Sequence, residues 1–324
     1  MLRYSKYQFR FYCTLLSVLI LTGCHRRAGK VLLPQPSSVF STYYSNSGGL
    51  FNIGYADGTL KLYDRNQTLP IAVFHDTKTI ITTSLFNSAD SLMLVSSMDS
   101  SVCIYNVAEK RLVKKQKFPR QVFTALFLNN SNNYATCGPD GVIHYVDVNN
   151  GNTIFELEHP QAVNFFWFTQ NDSTLVCSCE DGLIYVWDFF SKSLTKTLAG
   201  HQAAVKCVYI STDDKYLISA SSDSSVCIWD MKDGRMIKSL RGHNAGVQVA
   251  MFNSNASQAA SCDEKGEVII WSVPDGGIIK RIVAHNGRMC ALHYNSTGAE
   301  LITGSADGSV KIWDTKNWQV KKQL

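Results

Sequence analysis

This chain is self-similar at a period of 41 or 42 residues, and that repeat narrows the folds open to it. The clearest copy is Asp223-Ser-Ser-Val-Cys-Ile-Trp229-Asp230. It returns as Asp307-Gly-Ser-Val-Lys-Ile-Trp313-Asp314 and as Asp181-Gly-Leu-Ile-Tyr-Val-Trp187-Asp188. Weaker copies run from Asp57 to Asp64, Asp99 to Asn106, Asp140 to Asp147 and Lys265 to Ser272. The aligned positions are 63, 105, 146, 187, 229, 271 and 313, with gaps of 42, 41, 41, 42, 42 and 42. A second line runs in phase: His159, His201, His243 and His285 each stand 28 residues before the Trp of their unit, and His75 joins the line with a small insertion. A repeat of this length is one supersecondary unit that cannot bury its own faces and must stack on its neighbours.

Each unit reads as four short strands. In the fifth, Ala204 to Ile210, Tyr216 to Ala220, Ser225 to Trp229 and Met236 to Leu240 are apolar-rich runs separated by Ser, Asp and Gly turn residues. Closing seven such sheets into a ring buries every face and leaves only short edges. With 45% apolar and 18% charged residues, the chain has the material for such a core. The expected fold is therefore all-β: a seven-bladed β-propeller of four-stranded antiparallel blades over residues 34–324.

Over that span the motifs resemble the WD-repeat family. The resemblance implies that the motif His, turn Asp and third-strand Trp form a hydrogen-bonded lock in each blade. Carried onto this sequence, the locks are His159/Asp181/Trp187, His201/Asp223/Trp229 and His285/Asp307/Trp313. A buried imidazole needs partners on both nitrogens, so these histidines are read as structural and not as ligands. Some units depart from the pattern. Lys265 stands where Asp is expected, which would leave His243 without its partner, and Tyr63, Tyr105 and Val146 replace Trp. Trp318 to Leu324 supplies the outer strand of the last blade and Val39 begins the first, so closure by packing is expected in place of strand exchange.

The N-terminus reads differently. Arg3, Lys6 and Arg10 precede an apolar run from Phe11 to Leu21, which is far shorter than the ~20 residues a spanning helix needs. Leu21-Thr22-Gly23-Cys24 resembles the lipobox of bacterial lipoproteins. That resemblance implies removal of residues 1–23, acylation of Cys24, a tether over 24–33, and a ring anchored in the cell envelope. In a Gram-negative cell this would be the periplasmic side of the outer membrane, since His25 and not Asp follows the cysteine. Eight further cysteines favour a reducing, cytoplasmic setting instead, although they recur inside apolar strands as small buried hydrophobes and none shows zinc spacing. An uncleaved anchor on a cytosolic-side scaffold is the alternative.

Function follows from what the chain carries and lacks. Three of the five net positive charges lie before residue 24, which leaves the ring too weakly basic for a nucleic-acid binder. No G-x-S-x-G elbow, Walker loop or H-E-x-x-H motif is present, so no enzyme, metal or cofactor is expected. The reading is a monomeric ring that holds protein partners on its loop face. Loop-edge positions there are Phe40, Ile80, Met98, Phe123 and Pro139 in blades one to three, and Asn164, Glu180, Lys206, Gln248, Glu264 and Arg288 in blades four to seven. Aromatics and Met beside Arg have interface composition. Glu180 and Glu264 are the one carboxylate pair that a channel enzyme or a glycan or small-ligand binder could use. The basic run Lys110 to Arg120 fits either edge protection or contact with an anionic surface.

Overall fold

The computed structural model describes residues 37–324, so Cys24 and the segment before the ring lie outside the described residues. Among those described, no helix is long and apolar enough to cross a membrane. The chain forms seven four-stranded antiparallel sheets, each with its strands in chain order. Blade one comprises Val39–Tyr44, Leu50–Tyr55, Leu60–Asp64 and Ala72–Phe74. Blade five comprises Val205–Ile210, Tyr216–Ser221, Ser225–Asp230 and Met236–Arg241, within one residue of the boundaries the sequence suggests.

Burial follows position in the blade. Inner and second strands are buried nearly throughout, as in Val205–Ile210 and Tyr216–Ser221, because both of their faces meet neighbouring blades. The outer strand Arg111–Lys117 alternates between exposed and half-buried, with one face on the ring and one in water. Side chains then tie each blade to the next. Asp90 and Asp172 take left-handed conformations at first-hairpin turns (φ 56 and 60), which Asp tolerates better than most residues. From there Asp90 accepts the backbone N–H groups of Asn46 and Ser47 at 2.7 and 2.8 Å, and Asp172 those of Asn129 and Asn130 at 2.8 Å each. Outer-strand lysines reach the following blade: Lys114 donates to Val148 O at 2.7 Å, and Lys196 to Met231 O at 3.4 Å.

Among the described residues the ring closes without strand exchange, since the four strands of blade seven (Met289–Tyr294, Glu300–Ser305, Val310–Asp314, Gln319–Gln323) all come from the C-terminal end. The seam between blades seven and one centres on the buried Glu300. Its carboxylate receives Lys321 at 2.6 Å, Arg65 at 2.9 Å and the Tyr44 hydroxyl at 3.2 Å. Burial alone would raise the Glu300 carboxyl, but Lys321 and Arg65 outweigh it and hold the group below its ordinary range.

In blades five, six and seven the locks differ from the expected triads in one respect: a second-strand hydroxyl sits between Trp and His. In blade five the Trp229 N–H donates to Ser219 Oγ at 2.9 Å, Ser219 lies 2.8 Å from His201 Nε2, and His201 Nδ1 lies 3.1 Å from Asp223. In blade seven Thr303 takes the serine's place, and Asp307 acts through Ser309, which lies 2.6 Å from both His285 Nδ1 and the Asp307 carboxylate. Two expectations are corrected. His243 does have a carboxylate partner: Asp263, two positions before Lys265, lies 3.1 Å away, and Ser261 and Trp271 complete the lock. Asp181 does not bond His159, because Cys177 occupies the serine's position. Trp187 therefore donates directly to His159 Nε2 at 3.0 Å, His159 Nδ1 turns to Gly141 O at 3.2 Å, and Asp181 accepts the Tyr185 hydroxyl.

Two tests follow. Ser219→Ala strands a buried indole N–H and an imidazole nitrogen, and is expected to cost about 1–3 kcal/mol of stability in chemical denaturation. Cys177→Ala, where the direct Trp–His bond survives, should cost less. The second test is pH. Burial lowers the pKa of His159 and His201, and takes His285 and His293 from 6.5 down to about 4. Unfolded histidines bind protons that these cannot. Stability is thus complete above about pH 6.5 and is lost as pH falls from there towards 4, read as a falling Tm in calorimetry.

Candidate functional site

The mouth of the central channel is shaped by a repeated irregularity. Inner strands slip register near their start, between Val39 and Ser41, Ile81 and Thr83, Val163 and Phe165, Val205 and Cys207, Val247 and Val249, and Met289 and Ala291. A bulge adds one residue to a strand and re-aims its side chain. The residues so placed are Phe40, Thr82, Asn164, Lys206, Gln248 and Cys290, and all six line one cavity of ≈ 180 Å³. Ile80, Met98, Phe123 and Arg288, from the adjoining loop edges, line it too. Of the partner-surface positions read from sequence, Glu180, Glu264 and Pro139 stand outside the lining.

The cavity is two-sided. Phe40, Ile80, Met98 and Phe123, all half-buried, form an apolar wall from blades one to three. Asn164, Lys206, Gln248 and Arg288 form a polar wall from blades four to seven. The floor is closed by Tyr43 and Tyr209, whose hydroxyls meet at 2.9 Å across the ring. Tyr43 packs on His293 with ring centroids 4.7 Å apart, and Tyr209 packs on Trp167 at 4.7 Å and Phe165 at 5.1 Å. Burial raises the pKa of both tyrosines, which stay protonated. The channel mouth is thus a blind cup and not a pore.

Glu180 and Glu264 do not converge. Glu180 accepts Asn164 at 3.0 Å and Lys206 at 3.3 Å, whereas Glu264 accepts Gln248 at 3.2 Å and lies 3.8 Å from Arg288. Each carboxylate backs its own cation, and neither forms a paired acid–base site. Arg288 also donates to Gln248 Oε1, while its Nε is enclosed without a partner. Cys290 carries a thiol pushed up to about 11 by burial, so it is a weak nucleophile. One His/carboxylate group among the described residues brings ligand-type atoms within 4.8 Å: His243, Asp263 and Glu267. Arg281 already neutralises Glu267 at 3.0 Å and the other two belong to the blade-six lock, so the arrangement is a structural one.

The basic run is largely used within the ring. Lys114 bonds the Val148 and Asn149 carbonyls, Lys115 the Asp76 carbonyl, Lys117 the Asp99 carbonyl and carboxylate, and Arg111 pairs with Glu109. Cups of this kind are partly visible in sequence. The floor could have been found from phase, since Tyr43, Leu85, Leu126, Trp167, Tyr209, Met251 and His293 fall on one line, at gaps of 42, 41, 41, 42, 42 and 42, that always holds a large side chain. Thr82 and Cys290 share the bulge position of Phe40 and Lys206 but escape a reading that looks for aromatic bulk or charge, since both side chains are small.

Comparison with known proteins agrees with this architecture. Residues 151–188, 192–230, 234–272 and 276–314 match the family described as WD domain, G-beta repeat. The chain is similar to Myosin heavy chain kinase C of Dictyostelium discoideum, 30% identical over 117 residues, or 35% of this chain and 15% of that protein. It is also similar to U3 small nucleolar RNA-associated protein 21 of Saccharomyces cerevisiae, 24% identical over 108 residues, or 33% of this chain and 12% of that protein. The match thus spans less than a sixth of either relative's length. Residues 151–314 thus carry four repeats of the WD family, set in a β-propeller of seven four-stranded blades.

Proposed function

We propose that this propeller is a non-catalytic scaffold that grips a protein partner in the cup and is held in the bacterial cell envelope by an acylated Cys24. The observation that carries the binding reading is the cup itself. It is concave, closed at the floor, and faced on one side by four half-buried apolar side chains and on the other by an arginine and a lysine. Buried aromatics, methionine and arginine in a pocket are the composition of interface hot spots. Against a catalytic reading stand the separate pairing of Glu180 and Glu264 and the high pKa of the enclosed thiol and phenols.

The anchoring reading rests on Leu21-Thr22-Gly23-Cys24 after a basic and an apolar segment. More than one acyl chain, at ~0.8 kcal/mol per buried methylene, gives stable attachment. The free, buried thiols Cys103, Cys137, Cys177, Cys179, Cys207, Cys227 and Cys262 are compatible with an oxidising compartment because they are shielded in the sheets. The test is the intact mass of the N-terminal peptide from the native host beside a Cys24→Ala control. An acylated peptide beginning at Cys24, absent in the variant, is expected. A peptide beginning at Met1, or one cut without lipid, would overturn the anchor.

A further inference from the structure

We propose that the cup recognises a protein segment in which a large apolar side chain stands next to an Asp or Glu, with the apolar group on the Phe40–Phe123 wall and the carboxylate on Arg288 and Lys206. This rests on the reading of the cup as the partner surface and specifies what that partner presents.

Three observations lead there. The first is size. A cavity of ≈ 180 Å³ is below the roughly 300–1,000 Å³ typical of cofactor and drug-sized ligand sites. With its floor closed by the Tyr43–Tyr209 contact, it accepts one or two inserted side chains and cannot thread a polymer.

The second is charge. The lining contains two cations, Lys206 and Arg288, and no carboxylate, since Glu180 and Glu264 pair with them from outside the lining. From outside the pairs balance, but within the cup the groups on offer are N–H donors. An inserted Lys or Arg would be repelled, and an anion would be held in a partly desolvated site where charged hydrogen bonds are stronger than neutral ones.

The third is an unmet donor. Arg288 Nε has no partner, and its ion pair with Glu264 is open at 3.8 Å, beyond hydrogen-bond distance. The side chain retains 17% exposure in the cup lining, and its Nη2, though it donates to Gln248 Oε1, has a second N–H to give. A carboxylate matches the guanidinium fork, whereas an amide oxygen or hydroxyl satisfies only part of it. Lys206, with one bond to Glu180 at 3.3 Å, has further N–H groups to add. The apolar wall directly opposite requires that the same segment bring hydrophobic bulk, which fixes the pairing of the two features.

The test uses the purified full-length chain and fluorescein-labelled decapeptides of Gly and Ser carrying a central Phe-Asp, Phe-Asn or Phe-Lys, read by fluorescence anisotropy. The Phe-Asp peptide is expected to bind roughly tenfold more tightly than Phe-Asn, the difference made by one charge-assisted contact. Arg288→Gln should shrink that difference, and Phe123→Ala should weaken Phe-Asp and Phe-Asn alike, with both variants melting as the parent does. Equal binding of Phe-Asp and Phe-Asn, tightest binding of Phe-Lys, a difference unchanged in Arg288→Gln, or no binding of any peptide would overturn the proposal. Co-purification from the native host separates the two levels. If Phe123→Ala loses partners that the parent retains, the cup remains the partner surface even when the peptides fail. If both variants retain them all, the cup reading falls with the proposal.

Discussion

A blade in this molecule is stable only because another blade lies against each of its faces, so the whole fold depends on the last sheet meeting the first. That junction is made by side chains. Glu300 is buried at the seam and is neutralised from both sides, by Arg65 of blade one and Lys321 of blade seven, with the Tyr44 hydroxyl as a third donor. Ser38 adds a hydrogen bond to Ala306 O at 2.7 Å, and Lys322 bonds the Arg65 and Gln67 carbonyls. Lys322 thus does at the seam what Lys114 and Lys196 do inside the ring. The closing joint is a variant of every other joint, and no strand has to cross between the termini.

The same repetition that closes the ring builds the cup. One bulge near the start of six inner strands turns one side chain per blade towards the axis. Backbone geometry is therefore shared, and the chemistry of the mouth is set by which residue each blade places there. Blade one offers Phe40, whereas blades four to six offer Asn164, Lys206 and Gln248. The division into an apolar and a cationic wall follows the order of the chain. The better-locked blades, four to seven, carry the polar wall. In blades one and two, Tyr63 stacks on Phe51 at 4.9 Å and Tyr105 packs at a tilt against Phe74 at 4.5 Å, so aromatic packing stands in for the Trp–hydroxyl–His relay.

How much of this was legible in the sequence depended on the range of the contacts involved. Strand order, blade number and the closing outer strand all follow from the phase of the repeat, since each is a local pattern written seven times. The locks were legible only in outline. Ser219, Ser261 and Thr303 carry no motif of their own, because a hydroxyl in a strand looks like any other small residue until the indole and imidazole are seen on either side of it. Asp263 escaped notice because the phase pointed to Lys265, although a carboxylate two positions earlier reaches His243 equally well. Asp181 was assigned to His159 by position, but Cys177 cannot serve as the bridging hydroxyl, and the network rearranged around that one change. At the cup, phase identified eight of the lining residues but overreached at Glu180 and Glu264, whose side chains fall back onto Lys206, Gln248 and Asn164. Short-range satisfaction of charge decided those positions, and periodicity carries no information about it.

The proposed grip on partners at the channel mouth can be probed by placing a photo-reactive phenylalanine analogue at position 123, in the cup, or at position 255, in the exposed first-hairpin turn at the other end of the inner strands, and irradiating the native host. Adducts to another protein from position 123 and none from position 255 are the predicted result. Adducts from position 255 alone would contradict the claim and move the partner to the opposite face of the ring.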